Sequence, residues 1–387
     1  MTRMRDVDVF YFTEMPFYEV SQEDLDAHEA SRLTPPNELF DPRRASVLLR
    51  DFFDEYVWAE ECGFDGLMVN EHHNAPTCMH ISANISASIL ARTTTRAKLL
   101  ILGNMLPVWD NPVRLAEEVA FADVLSGGRV ISGIVRGIGP ETWATNSNPV
   151  HNRARFEEAH DLMVKTWTTP GPWRYEGVHY HFRVVNPWMR PIQLPHPPVW
   201  TPGTGSPETV HWAADHHYTY AAFLTPLDTA ERLFDVYRAR ARENGVEPGP
   251  DKFAFMVPCI VADTDAAAQQ LAARAVWRYR NASRAPKEYW LPPGYAPLPP
   301  RHQLKDTNTM ANAAKSMAEQ TVEELQANDH LVAGSPTTVT EKLRRIVDRL
   351  GIGHLLLEGQ VGPLGRDETM RCIELLGKEV IPALKGS

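Results

Sequence analysis

The stretch that decides the fold is residues 98–135, KLLILGNMLPVWDNPVRLAEEVAFADVLSGGRVISGIV. Its two ends, 98–103 and 130–135, are short apolar runs of the kind that forms buried strands, and the segment 112–125 between them has helical periodicity. A strand, a helix and a second strand in this order indicate one parallel β–α–β unit.

The same alternation continues along the rest of the chain. Further strands are predicted at 7–12, 65–70, 197–201, 217–223, 253–261 and 353–357, and further helices at 43–62, 81–94, 152–168, 207–214, 226–244, 264–280, 336–350 and 368–383. Eight strand–helix units close naturally into a (β/α)8 TIM barrel, which takes ~250 residues plus insertions. We therefore predict that residues 1–387 form one α/β domain of this kind, with a doubly wound open sheet as the alternative.

The length beyond a minimal barrel is predicted to lie in three insertions. Residues 13–42 form a polar loop after the first strand, and residues 170–196 have the pattern of a hairpin that turns at Gly177. Residues 281–334 begin with a proline-rich stretch, and a long irregular segment of this kind is usually a lid or disordered.

Composition and charge exclude several classes of protein. The 387 residues are 43% hydrophobic and carry a net charge of -10, which disfavours a nucleic-acid surface. The four cysteines are far apart in sequence, which fits a reducing compartment and argues against a disulfide framework or a structural zinc site. The first residues contain no apolar signal region, and no apolar run reaches the ~20 residues of a membrane span. A soluble, cytoplasmic protein is expected.

The polar residues of greatest interest follow the predicted strands, where the active site of a (β/α)8 barrel lies. They are Glu14 and Met15 after the first strand, Glu71, His72 and His73 after the second, Asn104 after the third, Arg136 after the fourth and the segment 203–206 after the fifth. The sequence therefore predicts that these side chains share one mouth.

The pair His72 and His73 invites a metal hypothesis, which the pattern disfavours. Adjacent residues of a strand point to opposite faces, so the two imidazoles are not expected to bind one ion together. The segment also lacks the HExxH spacing of a helical zinc site. The functional alternative is acid–base catalysis, since histidine is the side chain that ordinarily titrates near neutral pH. The non-functional alternative is a capped histidine on the protein surface.

The segment 203–214, GTGSPETVHWAA, follows a strand and opens a helix. Ser206 stands at the N-cap, Gly205 lets the backbone approach a ligand closely, and a helix start attracts phosphate. Arg136 on the neighbouring loop is a natural phosphate partner, although any helix requires a cap. A dinucleotide fingerprint is not supported, because 137–142 lacks its third glycine.

Taken together, these segments resemble the bacterial luciferase-like, flavin-dependent monooxygenases. The resemblance covers nearly the whole chain and rests on 61–74, 99–137, 152–167, 197–214 and 334–358. The order NPVRLAEE, LSGGR and then a strand ending in RG is specific for this family. Its combination with EHH at residues 71–73 makes the resemblance more specific still.

The resemblance implies roles for the residues of the mouth. His72 is similar to the residue that stabilises the flavin hydroperoxide and moves protons, with Glu71 and His73 in support. Arg136, Gly205, Ser206 and Thr209 resemble the flavin phosphate site.

Gly103 and Asn104 resemble the non-prolyl cis peptide that supports the isoalloxazine ring in this family. The cysteine that some members carry before the arginine is Val135 here, so no thiol role is implied.

The resemblance also implies a substrate pocket and an assembly. Met15, Trp109, Tyr180 and the 13–42 loop are expected to line the pocket. The helices at 81–94 and 112–125 resemble the family's dimer face, with Glu117 near its centre. The proline-rich segment 281–320 resembles its lid.

The implied activity is that of a two-component monooxygenase. Reduced FMN, supplied by a separate flavin reductase, and O2 form a C4a-hydroperoxyflavin that oxygenates a small to medium apolar organic substrate. Hydride transfer with the deazaflavin F420 is the alternative on the same fold. A non-catalytic flavin-binding subunit and a metal hydrolase barrel are lesser alternatives.

Overall fold

The computed structural model describes residues 7–295 and 317–386, and its strands form one closed barrel and one hairpin. The strands are β1 Asp8–Thr13, β2 Gly66–Val69, β3 Lys98–Met105, β4 Val130–Val135, β5 Trp173–Glu176, β6 His181–Val185, β7 Val199–Gly203, β8 Thr219–Phe223, β9 Phe253–Val261, β10 Val332–Gly334 and β11 His354–Gln360. Parallel pairing runs β1–β2–β3–β4–β7–β8–β9–β11 and returns to β1.

Helices follow the barrel strands and surround them. They are α1 Gln22–Asp26, α2 Pro42–Cys62, α3 Ala83–Thr93, α4 Pro112–Ser126, α5 Gly139–Ala144, α6 Asn152–Thr168, α7 Pro207–Asp215, α8 Leu227–Glu243, α9 Asp265–Ser283, α10 Lys287–Trp290, α11 Val322–Ala327, α12 Pro336–Leu350, α13 Arg366–Leu375 and α14 Ile381–Lys385, with a π-helical turn at Leu376–Val380 between the last two. None of the helices within the described ranges is long and apolar enough to cross a membrane.

Local sequence signals begin and end the helices that the barrel requires. The Asp41 carboxylate caps α2 by accepting from the Arg43 N–H at 2.8 Å, and Gly63 ends the helix with φ +109°. Asn111 caps α4 in the same way, and Gly127 ends it with φ +74°. Such caps satisfy backbone groups that a helix end leaves free, and only glycine adopts the left-handed conformation without strain.

The core has two layers that follow from the two-residue period of the strands. Inward side chains of the barrel strands fill its centre, where Phe10, Phe12, Met68, Leu100, Leu102, Ile131, Trp200, Ala221, Ala254, Met256 and Leu356 form one buried cluster. Outward side chains pack against the helices in a larger cluster. Because both faces of every strand are covered, the strands are almost continuously apolar, as in parallel sheets generally.

The (β/α)8 prediction is confirmed, and the open-sheet alternative is wrong because β11 pairs with β1 and closes the ring. All eight predicted barrel strands are present. The short β10, which adds to β9 outside the ring, was not predicted, and neither was the short helix α5. Both are too brief to produce a periodic pattern.

The segments predicted as insertions contain some regular structure. Residues 13–42 include α1 and a 3-10 turn at Asn37–Leu39, and 170–196 contain the antiparallel pair β5–β6 with Gly177 between the strands. In the predicted lid, α9 extends to Ser283 and α10 follows, whereas residues 296–316 lie outside the described residues.

Candidate active site

The carboxyl ends of β1, β2, β3, β4 and β7 face the same end of the barrel, because these strands are parallel. The segments that follow them hold the predicted site residues, now distributed over two sides of one mouth. The β2 side carries the histidines and Glu71, and Glu141 reaches them from α5, which follows β4. The β4/β7 side carries Arg136 and the start of α7.

On the β2 side, both histidines contact one buried carboxylate, that of Glu141. The His72 Nδ1 atom lies 2.7 Å from Glu141 Oε1, and the His73 Nδ1 atom lies 3.2 Å from Glu141 Oε2. The His73 backbone N–H also donates to Glu141 Oε2 at 3.2 Å. The expectation that the two imidazoles point to opposite faces is therefore wrong. Strand alternation does not apply to them because β2 ends at Val69.

Electrostatics makes Glu141 an anion and favours protonation of His73. The Glu141 side chain is 1% exposed, and burial alone would raise its pKa. Hydrogen bonds from His72 and His73 outweigh burial and lower the Glu141 pKa to about 2. The hydrogen bond with Glu141 in turn raises the pKa of His73 against the opposing effect of burial. Glu141 and His73 thus form a charge pair at mildly acidic pH.

Glu71 behaves differently although it lies beside the same imidazole. Its Oε2 atom accepts from the Ala83 N–H at 3.1 Å, while Oε1 has no hydrogen-bond partner and lies 3.9 Å from His73 Nε2. Burial is the largest effect here and raises the Glu71 pKa to about 7. Glu71 is therefore a carboxyl group that can hold or release a proton near neutral pH.

Sequence reasoning missed Glu141, although it lies only five residues after Arg136. It is part of α5, which is held under α10: a Cβ on Gly139 would meet the Trp290 carbonyl oxygen at 2.2 Å. The segment RGIGPET resembles a dinucleotide fingerprint only in its glycines, and its acid is not part of that pattern. An acidic residue soon after the fourth strand, near the carboxyl end of the barrel, was the available signal.

A second buried ion cluster closes the floor of the mouth between β1 and β11. The Arg278 guanidinium lies 3.2 Å from Glu14 Oε1 and 2.9 Å from Glu358 Oε1, and all three side chains are at most 5% exposed. Burial raises the pKa of Glu358 to about 7, whereas Arg278 and other cations lower that of Glu14 against burial. This cluster ties α9 to the barrel and satisfies most of its own charge.

On the β4/β7 side, no carboxylate among the described residues pairs with Arg136, and no side chain caps the start of α7. The Arg136 guanidinium stacks over the Tyr295 ring at 4.9 Å, and no ion pair involves Arg136 in the described part of the chain. Ser206 precedes α7 without a side-chain capping bond, so the free N–H groups of the helix start face outward. Gly205 has φ +152°, and a Cβ there would meet no atom within 4 Å. Thr209 lies half-buried in the first turn. An anionic phosphate matches this set of donors.

The cis peptide bond is present, but one residue earlier than predicted, between Leu102 and Gly103. Gly103 lies where β3 and β4 approach closely, since a Cβ on Gly103 would lie 2.7 Å from the Gly133 carbonyl oxygen. Asn104 is within β3 rather than after it and is fully buried. Its Nδ2 donates to Asn84 Oδ1 at 3.0 Å, while its own Oδ1 has no partner.

An apolar cavity of about 690 Å3 opens between the 13–42 segment and α3. His72 and Met15 line it, together with apolar side chains such as Phe17, Leu33 and Ile85. A cavity of this size and lining is typical of sites for small organic molecules.

The other two residues expected in the substrate pocket lie elsewhere. The Trp109 ring contacts the His73 ring, with centroids 6.0 Å apart. Tyr180 is buried and donates to the Trp109 carbonyl oxygen at 3.4 Å, so it supports Trp109 from behind. Neither residue lines the 690 Å3 cavity.

A metal-binding arrangement is found only away from the mouth among residues 7–295 and 317–386. His160, Asp161 and His216 bring one potential ligand atom each within 4.8 Å of the others, on the outer side of the barrel. His160 already contacts Asp161 through Nδ1 and the Tyr218 hydroxyl through Nε2. The group is therefore consistent with an ordinary hydrogen-bonded cluster.

Comparison with known proteins agrees with this geometry. Residues 35–354 match the model of the luciferase-like monooxygenase family. The chain is 27% identical over 188 residues to the alkanal monooxygenase alpha chain of Photorhabdus luminescens, covering 48% of this chain and 51% of that protein. It is 25% identical over 165 residues to the oxygenase component of the flavin-dependent trigonelline monooxygenase of Acinetobacter baylyi, covering 39% and 43%.

Solved structures share the fold at lower identity. The oxygenating constituent of 3,6-diketocamphane monooxygenase from Pseudomonas putida, in complex with FMN, has a TM-score of 0.71 at 19% identity, covering 98% of both chains. An F420-dependent secondary alcohol dehydrogenase has a TM-score of 0.68 at 16% identity, covering 98% of this chain and 99% of that one. The family match spans most of the chain, and the chain therefore belongs to the luciferase-like monooxygenases, a family of flavin-dependent enzymes.

Proposed function

We propose that this protein is the oxygenase component of a two-component, FMN-dependent monooxygenase acting on a small to medium apolar organic substrate. The observation that carries the proposal is the contact of His72 with buried Glu141 at 2.7 Å, at the wall of a large apolar cavity. A histidine held this way is suited to proton transfer beside a bound substrate.

Arg136, Gly205, Ser206 and Thr209 would hold the phosphate of FMN, because they supply a guanidinium, the N–H groups of an uncapped helix start and two hydroxyls. The β3 end at Gly103 and Asn104 would support the ring. The Asn104 Oδ1 atom is buried and has no hydrogen-bond partner among the described residues. Such an acceptor would be satisfied by an N–H group of the flavin ring. When bound, reduced FMN supplies the electrons that activate O2.

In this proposal, Glu141 orients His72. The Glu141 carboxylate accepts the hydrogen on His72 Nδ1, which fixes that tautomer and leaves Nε2 as the nitrogen that exchanges a proton in the mouth. His73 and Glu71 complete the shell: His73 compensates the charge of Glu141, and Glu71 fixes the start of α3 through the Ala83 N–H. The buried carboxylate thus positions the imidazole before any substrate arrives.

The substrate would occupy the 690 Å3 cavity, which Met15 and the 13–42 segment bound on one side and α3 on the other. Trp109, which packs on His73, would form the edge of the site, with Tyr180 supporting it from behind. Burial of apolar surface at ~25 cal/mol/Å2 would provide most of the binding free energy. Because such a ligand is uncharged, it would leave the charges of Glu141 and His73 unchanged.

We further propose a homodimer in the cytoplasm, with a flavin reductase as partner. Exposed apolar side chains cluster on α4 and on α3 with the residues just before it, and they are Ile81, Ile85, Ile89, Phe121, Val124 and Leu125. The three isoleucines also line the edge of the 690 Å3 cavity. Glu117 is exposed on the same α4 helix. Apolar clusters of this extent on two adjacent helices are typical of protein interfaces. The name of the Acinetobacter baylyi relative, an oxygenase component, supports a separate reductase.

The test is an anaerobic titration of the purified protein with reduced FMN and, separately, with reduced F420, followed by addition of O2. The proposal predicts tight binding of reduced FMN and a long delay between O2 addition and the return of oxidised flavin absorbance. Preferential binding of F420 without such a delay would contradict it and favour the hydride-transfer alternative.

A further inference from the structure

The group formed by His160, Asp161 and His216 lies between α6 and the turn that leads from α7 into β8. One potential ligand atom of each residue lies within 4.8 Å of those of the other two. His160 is buried and Asp161 is exposed, so the group has one side in the protein and one side in solvent. It contains none of the residues proposed to bind flavin or substrate, and it is therefore a separate place in the fold.

Hydrogen bonds satisfy His160 without an ion, but His216 keeps one ring nitrogen that no protein group occupies. The Nδ1 atom of His216 lies 2.8 Å from the Trp212 carbonyl oxygen, which can only accept, so Nδ1 carries the ring hydrogen. The Nε2 atom of this neutral ring is then a lone pair, and it has no hydrogen-bond partner within residues 7–295 and 317–386. A metal-bound imidazole normally donates its other ring N–H to a fixed acceptor in this way.

The His216 ring is also held in place by its neighbours. It stacks on the Tyr218 ring with centroids 5.4 Å apart, and its centroid lies 4.3 Å from that of Trp212. The His160 ring meets it edge-on at 4.9 Å. Because these contacts restrict rotation of the ring, little conformational freedom would be lost when it binds a ligand.

His160 and Asp161 form the other half of the group. Asp161 Oδ1 lies 2.9 Å from His160 Nδ1, and the Tyr218 hydroxyl lies 2.8 Å from His160 Nε2. Burial lowers the pKa of His160, and the hydrogen bond with His160 lowers the pKa of Asp161, so a neutral imidazole lies beside a carboxylate anion. A metal ion requires its ligands in these protonation states. The hydrogen on Nδ1 can move to Nε2, because the Tyr218 hydroxyl accepts as well as donates.

We propose that His160, Asp161 and His216 bind one divalent transition-metal ion of the Zn2+ class, which ties α6 to the turn between α7 and β8. The ligands are His160 Nδ1, a carboxylate oxygen of Asp161 and His216 Nε2, and a water molecule on the exposed side completes a tetrahedron. Two imidazoles and a carboxylate suit Zn2+ better than Mg2+ or Ca2+, which prefer oxygen ligands.

The geometry requires only a small adjustment to accept the ion. With bonds of about 2.1 Å, the ligand atoms of a tetrahedral zinc site are roughly 3.4 Å apart. The 2.9 Å between His160 Nδ1 and Asp161 Oδ1 is close to that separation. Since the ligand atoms all lie within 4.8 Å of one another, His216 has to approach by no more than about 1.4 Å.

The ion would stabilise the outer wall of the barrel. The 170–196 segment separates α6 from β7 and α7 in sequence, and the ion joins the elements on both sides of that segment. Because the unfolded chain does not hold these three ligands together, the binding free energy of the ion adds to the stability of the fold.

The experiment titrates Zn2+ into the full-length protein after dialysis against EDTA and then against metal-free buffer. Binding is followed by isothermal titration calorimetry and the Tm by calorimetric scanning. Wild type is expected to bind one Zn2+ and to gain a few degrees in Tm at saturating Zn2+, whereas Mg2+ should leave the Tm unchanged. Asp161→Asn and His216→Asn are each expected to weaken Zn2+ binding more than 100-fold, since loss of an outer-shell partner alone costs 10- to 100-fold.

His217→Asn is the matched control, because His217 is an exposed neighbour of His216 outside the group. It should keep the wild-type affinity for Zn2+. Tyr218→Phe, which removes only the partner of His160 Nε2, should weaken Zn2+ binding by about 10- to 100-fold. Retained affinity in Tyr218→Phe would contradict the assigned role of His160 Nδ1 as a ligand.

The exposed position of Asp161 keeps the proposal testable if His216→Asn fails to fold. Absence of Zn2+ binding in wild type overturns the proposal. Equal affinity, or an equal rise in Tm, in wild type and Asp161→Asn means an adventitious ion only and also overturns it. The measurements need neither flavin nor turnover, so their result is independent of the proposed monooxygenase activity.

Discussion

The two sides of the barrel mouth differ in how far the chain completes its own polar groups. On the β2 side, His72 and His73 both contact Glu141, and the Ala83 N–H contacts Glu71. On the β4/β7 side, Arg136 stacks on the Tyr295 ring and forms no ion pair with any of the described residues. In the proposed function, the groups that must hold a precise geometry are thus prearranged by protein contacts, whereas the groups proposed to bind the phosphate are left for the ligand to complete.

The comparison also shows that burial alone does not set the charge of an acid. Glu141 and Glu71 lie on opposite sides of the His73 imidazole and are both at most 5% exposed. Burial raises the pKa of Glu71 to about 7, whereas hydrogen bonds from two imidazoles lower that of Glu141 to about 2. The number of donors that reach the carboxylate decides the outcome.

The largest effect is expected from removing the prearranged imidazole. His72→Ala should reduce coupled oxygenation by about 100- to 10,000-fold, the usual contribution of a positioned acid–base group, with little change in flavin affinity. Product formed per reduced FMN consumed is the measurement. His211→Ala, an exposed histidine on α7, is the control. Wild-type coupling in the His72 variant would remove the proposed role.

A smaller loss is expected when the imidazole remains but its partner loses charge. Glu141→Gln should lower kcat by about tenfold to 100-fold, because an amide can accept from His72 Nδ1 but cannot stabilise a protonated imidazole. KM should change little, since Glu141 does not line the cavity. Single-turnover rates with wild type, Glu141→Asp and the control Glu341→Gln, an exposed glutamate on α12, would check this. Full activity of Glu141→Gln would show that the contact is only structural.

On the open side, substitution should affect binding rather than chemistry. Arg136→Met should raise the Kd for reduced FMN by about tenfold or more, the value of an ionic hydrogen bond of roughly 1.5–3 kcal/mol, and leave kcat at saturating flavin near that of wild type. Anaerobic fluorescence titration measures the affinity. A fall in kcat with an unchanged Kd would mean that Arg136 takes part in the chemistry rather than in binding FMN, and would contradict the proposed division between the two sides of the mouth.

The smallest expected effect is on how the thermal stability of the protein depends on pH. The Glu141 pKa falls from 4.5 to about 2, so its contribution is full above pH 4.5 and is lost as the pH falls toward 2. The His73 pKa rises above 6.5, so its contribution is full below pH 6.5 and is lost at higher pH.

Because the two groups stabilise each other, the Tm difference between wild type and Glu141→Gln should be greatest between about pH 4.5 and 6.5. Calorimetric scans from pH 4 to 8 measure it. A difference that does not vary with pH would show that the ion pair contributes nothing, and that packing alone explains the change.

Sequence alone predicted the barrel because its information is local and periodic. Each apolar run, such as 98–103 or 130–135, and each amphipathic stretch is visible within a window of about 10 residues, and eight repetitions leave few ways to cover both faces of the strands. The same logic brought His72, Arg136 and Ser206 to one end of the barrel. The family resemblance, which the match over residues 35–354 confirms, added the cofactor.

Only the tertiary structure decided which of these groups touch. The partner of His72 is Glu141, 69 residues away in sequence, and the position of Glu141 depends on a six-residue helix held under another loop. The orientation of His73 could not follow from alternation, since the chain leaves its strand at Val69. Contacts between loops are set by how distant segments pack, and local periodicity carries no information about that.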